Sequence, residues 1–82
     1  MPSQRKAMPI DEEKIDEAVL ALLYLTLERE GRAWKGFDFG VMNRLHEKGF
    51  ICDPVNRNKS VLLTEEGVAE SRRLFETLFV KK

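Results

Sequence analysis

The side chains able to do chemistry in this sequence are few. Its 82 residues hold one histidine, His46, and one cysteine, Cys52, with 14 acidic and 14 basic side chains around them. A structural zinc site draws about four ligands from Cys and His, so this pair falls short unless many carboxylates join it. A Cys–His nucleophile pair is formally open. The pattern, however, puts His46 at a helix end and Cys52 beside Phe50 and Ile51 in an apolar strand, where a thiol reads as a small buried side chain. Asp11, Glu12, Glu13, Asp16 and Glu17 crowd one helix start and read as solvated acids at the positive end of its dipole. No glycine-rich phosphate loop occurs. No enzymatic activity, metal or cofactor is expected.

What remains is recognition by charge and surface. Zero net charge argues against a polybasic nucleic-acid binder, but the charges are not evenly spread. Residues 1–10 carry +2, residues 11–28 carry −5, residues 29–60 carry +3, and residues 61–82 carry none. The positive stretch holds Asn43, Arg44 and Lys48 on a short helix, and Arg57 and Lys59 on a loop tip. These five are the candidate nucleic-acid contacts. Each neutralised phosphate contributes a slope of about −0.9 in log affinity against log salt, so so few contacts per subunit bind weakly unless a dimer doubles them. The plainer alternative is that Arg32, Lys35, Arg44, Arg57 and Lys59 are ordinary solvated charges.

Three helices and a hairpin must position these residues. The first helix is expected from Asp11 to Glu30, with acids in its first turn and Gly31 as its stop. Ile15, Val19, Leu22, Leu23 and Leu27 form one stripe, and Leu20, Tyr24 and Leu25 cover much of the rest. A helix apolar on so many sides asks for partners on several sides. A homodimer interface is therefore expected, with Leu20, Tyr24, Leu27, Leu74 and Leu78 as its candidates. The alternative is complete burial by the C-terminal helix. Gly31 to Gly36 reads as irregular, with Trp34 anchoring it onto the core; a role in stacking on a ligand or nucleic acid is the second reading. The second helix runs from Asp38 as N-cap to Lys48, with Gly49 after it. Phe50–Cys52 and Ser60–Leu63 form a hairpin across a polar tip. Thr64 caps a last helix that ends near Val80.

Length and composition indicate one domain, residues 10–82, after a tail at 1–9. The run from Ala18 to Leu27 spans about 15 Å as a helix, half a bilayer core, so no membrane span is expected. Two basic residues with no apolar run behind them do not make a signal peptide. With no cysteine pair for a disulfide, a cytoplasmic location is expected.

The pattern from Phe39 to Glu70 is the informative one. A helix ends Arg44-Leu45-His46-Glu47-Lys48-Gly49-Phe50-Ile51, a polar-tipped hairpin follows, and the second strand closes Leu63-Thr64-Glu65-Glu66-Gly67. This resembles the second half of winged-helix regulators of the MarR and PadR type, over about 32 of 82 residues. The whole chain also resembles a short bacterial family known only as a domain of unknown function. The first resemblance implies a mainly α fold with a small β-hairpin, winged-helix-like. Its helix-turn-helix is shortened, because at most one helical turn fits at Ala33 to Lys35. It also implies a dimeric DNA-binding or regulatory protein. The alternative is a winged-helix-derived protein–protein interaction module that has lost DNA binding.

Overall fold

The computed structural model describes residues 9–55 and 59–81. It is mainly helical, with a small antiparallel β unit, and is winged-helix-like. In chain order it contains α1 (Glu12–Leu23), a 3₁₀ turn (Tyr24–Thr26), β1 (Arg32–Trp34), α2 (Phe39–Glu47), β2 (Ser60–Leu62) and α3 (Glu65–Phe79).

Each helix starts where a capping side chain predicts it. Asp11, Asp38 and Thr64 accept from the backbone N–H of Lys14, Val41 and Gly67 at 3.1, 3.2 and 2.9 Å, which satisfies donors the helix itself cannot reach. At the end of α2 the chain leaves through Gly49 at φ +84°, a left-handed conformation that glycine adopts without steric cost.

The first helix is shorter than expected. Thr26 is the reason: its hydroxyl donates to the Leu23 carbonyl at 3.5 Å and accepts from the Trp34 N–H at 2.9 Å. A side chain bonded to the backbone in this way competes with helix continuation. Leu27 is already extended. Gly31, at φ +88°, then serves a tight turn in which Gly31 N–H donates to Glu28 O at 2.9 Å.

The segment expected to be irregular, or at most one helical turn, is instead a strand. β1 pairs antiparallel with β2 in the register Arg32↔Leu62, Ala33↔Val61, Trp34↔Ser60. The expected pairing of Phe50–Cys52 with Ser60–Leu63 survives only in part. Ile51 bridges Leu63, and Cys52 N–H donates to Leu62 O at 2.8 Å. β2 is thus the middle of the unit rather than one arm of a hairpin. Local pattern could not reveal this, because β1 and β2 lie far apart in sequence and meet only when α1 and α2 pack.

Strand alternation overturns two expectations about single residues. Ala33 faces inward and is buried, so Trp34 faces out and is 51% exposed; it does not anchor a loop on the core. Ile51 is buried, so Cys52, the next residue, is exposed. Successive strand side chains point to opposite faces.

The core is built from Leu20, Ala21 and Leu23 of α1, Val41, Met42 and Leu45 of α2, Ile51, Ala33, Val61 and Leu63 of the β unit, and Leu74 of α3. α1 lies between α2 and α3, which bury its Leu20, Ala21 and Leu23, while Ile15 of α1 and Leu25 of the 3₁₀ turn stay exposed. Among the described residues no helix is long and apolar enough to cross a membrane.

Candidate functional site

α2 was expected to present Asn43, Arg44 and Lys48 to nucleic acid. Asn43 is exposed. Arg44 and Lys48, one helical turn apart, instead turn onto α1 and grip Asp16. Arg44 Nε donates to both carboxylate oxygens at 3.1 and 2.9 Å, and its Nη2 donates to Oδ1 at 2.8 Å. Lys48 Nζ donates to the other oxygen at 3.0 Å and to Glu13 Oε1 at 3.1 Å. Glu12 stands 3.6 Å from Arg44 Nη1.

Asp16 is 2% exposed. Its reading as one more solvated acid at the helix start is therefore wrong. The signal was present in the spacing: Glu12, Glu13 and Asp16 share a face of one helix, and Arg44 and Lys48 share a face of another, as residues three or four apart do. What spacing alone could not show is that the two faces meet.

A buried carboxylate is costly unless paired and hydrogen-bonded. Here the bidentate guanidinium matches the carboxylate plane. The hydrogen bond from Arg44 holds the Asp16 carboxyl below its ordinary value of 3.8; burial pushes the other way, and Lys48 adds to the lowering. Burial opposes the Lys48 ammonium, but its bonds to Asp16 and Glu13 outweigh this and raise it above 10.5. The unfolded chain thus binds a proton at Asp16 more readily than the folded one. The stability Asp16 contributes is complete above about pH 3.8 and is lost as pH falls through its lower folded value. The contribution of Lys48 is complete below pH 10.5 and is lost as pH rises through its raised value. Urea denaturation across pH should show a steep acid-side loss below about pH 4, shallower in an Asp16→Asn variant. Equal slopes in the two proteins would contradict this.

His46 belongs to the scaffold. Its Nδ1 lies 3.1 Å from the Ile51 carbonyl, and a carbonyl only accepts, so Nδ1 carries the proton. Lys59 is exposed at the start of β2, and its carbonyl accepts from Lys35 N–H at 3.1 Å. Arg57 lies outside the described residues.

The five candidate interface residues divide. Leu20 and Leu74 are buried in the chain's own core. Leu27 packs against that core. The Tyr24 ring meets Phe75 at 5.3 Å, and Phe75 meets Phe79 at 5.8 Å. Leu78 is 48% exposed, and Leu25, Phe79 and Val80 are exposed with it. The chain of rings links the 3₁₀ turn to the last turn of α3, so these apolar side chains share one end of the molecule.

With this geometry in view, the chain can be compared with known proteins. A family model described as a domain of unknown function, DUF6429, matches residues 11–81. The chain belongs to the DUF6429 family. The matched residues run from the cap of α1, Asp11, to just beyond α3, so the family domain includes both the Asp16 ion pair and the β unit. This DUF6429 chain is 61% identical over 74 residues to an uncharacterised protein, y4hR, of Sinorhizobium fredii (strain NBRC 101917 / NGR234); the alignment covers 90% of this chain and all of that one. No solved structure matches the DUF6429 chain. The expected resemblance to a family of unknown function is thus met, while the expected likeness to MarR and PadR regulators is not shown by these comparisons.

Proposed function

We propose that this protein is a self-associating interaction module of winged-helix descent, whose α2 does not read a DNA groove. One observation carries the reading: the two cations expected to face DNA, Arg44 and Lys48, are held by Asp16, Glu12 and Glu13. The outer surface of α2 then offers Asp38, Asn43 and Glu47, with no net positive charge to meet phosphate. Releasing the two cations would leave Asp16 buried and unpaired, which costs several kcal/mol and more than a surface phosphate contact returns. Self-association rests on the apolar end formed by Leu25, Leu78, Phe79 and Val80.

Light scattering of the purified protein should give twice the 9.5 kDa chain mass at roughly 100 µM, where even weak interfaces are populated. A Leu78→Glu, Phe79→Glu double variant should be monomeric with an unchanged circular dichroism spectrum. A monomeric parent protein would overturn self-association. Fluorescence anisotropy with mixed-sequence duplex DNA at low salt should show no binding at tens of micromolar protein, within the usual non-specific range; tight binding that survives Arg57→Ala and Lys59→Ala but is lost in Asn43→Ala would overturn the reading of α2.

A second reading, a dimer that binds duplex DNA through its two loop tips, is favoured by Lys59, which makes no ion pair among the described residues. Duplex binding abolished by Arg57→Ala and Lys59→Ala would establish it.

A further inference from the structure

β1 turns Trp34 outward, and the chain around it holds the indole in place. The five-membered ring lies against Gly36: a Cβ built there would stand 2.1 Å from Nε1, 2.8 Å from Cε2 and 3.1 Å from Cδ1. Gly36 has no positive φ, so the indole, rather than the backbone, excludes a side chain at this position. The backbone N–H of Trp34 donates to Thr26 Oγ1 at 2.9 Å, which fixes the strand segment that carries the indole. The result is a large aromatic side chain, half in solvent, that is positioned rather than loose.

Open grooves flank it. One, of about 440 Å³, is lined by Thr26, Glu28, Arg32, Trp34, Lys59 and Ser60 among others. The other, of about 300 Å³, is lined by Trp34, Lys35, Gly36 and Lys59. Trp34 and Lys59 border both. Arg32 donates to the neutral Ser60 hydroxyl at 3.2 Å, so it is oriented without losing its charge. That is the opposite of Arg44, whose charge is cancelled by a carboxylate. Lys59 likewise has no acidic partner among the described residues, and Glu28 is the one carboxylate lining the larger groove.

An exposed indole beside a guanidinium and an ammonium fits one chemistry best. The flat ring offers a face for a flat ring, and the cations offer donors for an anion attached to it. We propose that Trp34, Arg32 and Lys59 form a site for an unpaired nucleotide, its base stacked on the indole and its phosphate held by the two cations. The grooves on either side leave room for a strand to continue past the stacked base. This site lies on the β unit and is independent of the self-association proposed above.

Trp34 is the sole tryptophan, so intrinsic fluorescence reports the site directly. A short oligothymidylate should quench it saturably at roughly 1–100 µM, with a slope near −0.7 in log affinity against log salt for the one phosphate neutralised on a single strand. Thymidine monophosphate distinguishes the sources of the ligand: equal affinity identifies a free nucleotide, and an oligonucleotide about tenfold tighter identifies a strand, each in support. Measured by anisotropy of a labelled oligothymidylate, Trp34→Ala should weaken binding about 10- to 100-fold, the span of one base–aromatic stack. Gly36→Ala keeps the indole but displaces it, and should weaken binding comparably with unchanged circular dichroism. Arg32→Ala and Lys59→Ala should each weaken binding and flatten the salt slope, and removing both should abolish it. The proposal is overturned by absence of saturable quenching with either probe, by wild-type binding in Trp34→Ala or Gly36→Ala, or by a duplex binding as tightly as the single strand. Quenching by an acidic peptide as strong as by the oligonucleotide would overturn it in favour of a protein partner.

Discussion

Gly67→Ala should unfold the protein or come close to it. Helix propensity alone predicts the reverse, because alanine stabilises a helix interior by about 1 kcal/mol over glycine. Packing decides against it. A Cβ at position 67 would lie 1.8 Å from the carbonyl oxygen of Phe50 and 2.8 Å from its carbonyl carbon. That obstacle is backbone, and it is pinned. Phe50 N–H donates to Leu45 O at 3.0 Å, and Phe50 O accepts from Thr64 N–H at 3.0 Å. The Thr64 hydroxyl in turn donates to Gly49 O at 2.6 Å while accepting from Gly67 N–H at 2.9 Å. To admit a methyl group, α3 must retreat from the α2 exit and from the cap that starts it. Overpacking typically costs about 1–3 kcal/mol; because the obstacle here is pinned backbone, a loss above about 4 kcal/mol is expected, at the exceptional end for a single substitution. Small domains hold only about 5–15 kcal/mol in total. Urea denaturation followed by circular dichroism measures it. A variant as stable as the parent, or more stable, would show that propensity wins and that α3 does not sit as close to Phe50 as described.

Arg44→Ala should be the most damaging substitution among the charged residues. It removes the bidentate partner of a carboxylate that is 2% exposed and leaves Asp16 with Lys48 alone. Breaking a buried pair from one side costs about 3–5 kcal/mol when the remaining charge stays buried; because Lys48 still reaches Asp16, about 3 kcal/mol is expected. Asp16→Ala should cost less, about 2 kcal/mol, because Arg44 and Lys48 are each some 30% exposed and can turn to water. Arg44→Lys should recover little, since an ammonium cannot match the carboxylate plane. The Asp16→Ala, Arg44→Ala double variant should be more stable than the sum of the single losses implies, because the unpaired buried charge is gone. By contrast, Arg72 with Glu76 and Arg73 with Glu70 are surface pairs on α3, and their removal should change stability by less than about 1 kcal/mol. Denaturation midpoints of these variants check the ranking. Equal effects for Arg44→Ala and Arg72→Ala would remove the case for a buried tether between α1 and α2, and with it the reading of α2.

Much of the fold is local chemistry and was legible. Asp11, Asp38 and Thr64 announce three helix starts, because a capping oxygen acts on N–H groups within one turn. Gly49 announces the exit from α2 for an equally local reason. The candidate site was far less legible. Arg44 and Lys48 look the same in sequence whether they face a phosphate or an aspartate. Trp34 looks the same whether it is buried or exposed, since one residue of register in a strand reverses its direction.

The order and type of the helices, the caps, the glycine exit and the presence of a small β unit follow from the amino-acid sequence by itself. They depend on contacts between residues a few positions apart, and such contacts are written into spacing. Three matters were decided only by tertiary structure: β1 as the partner of β2, Asp16 as a buried counter-ion, and Trp34 as an exposed platform over Gly36. Each depends on segments separated along the chain coming together, or on the face a strand turns inward, and packing around α1 settles both.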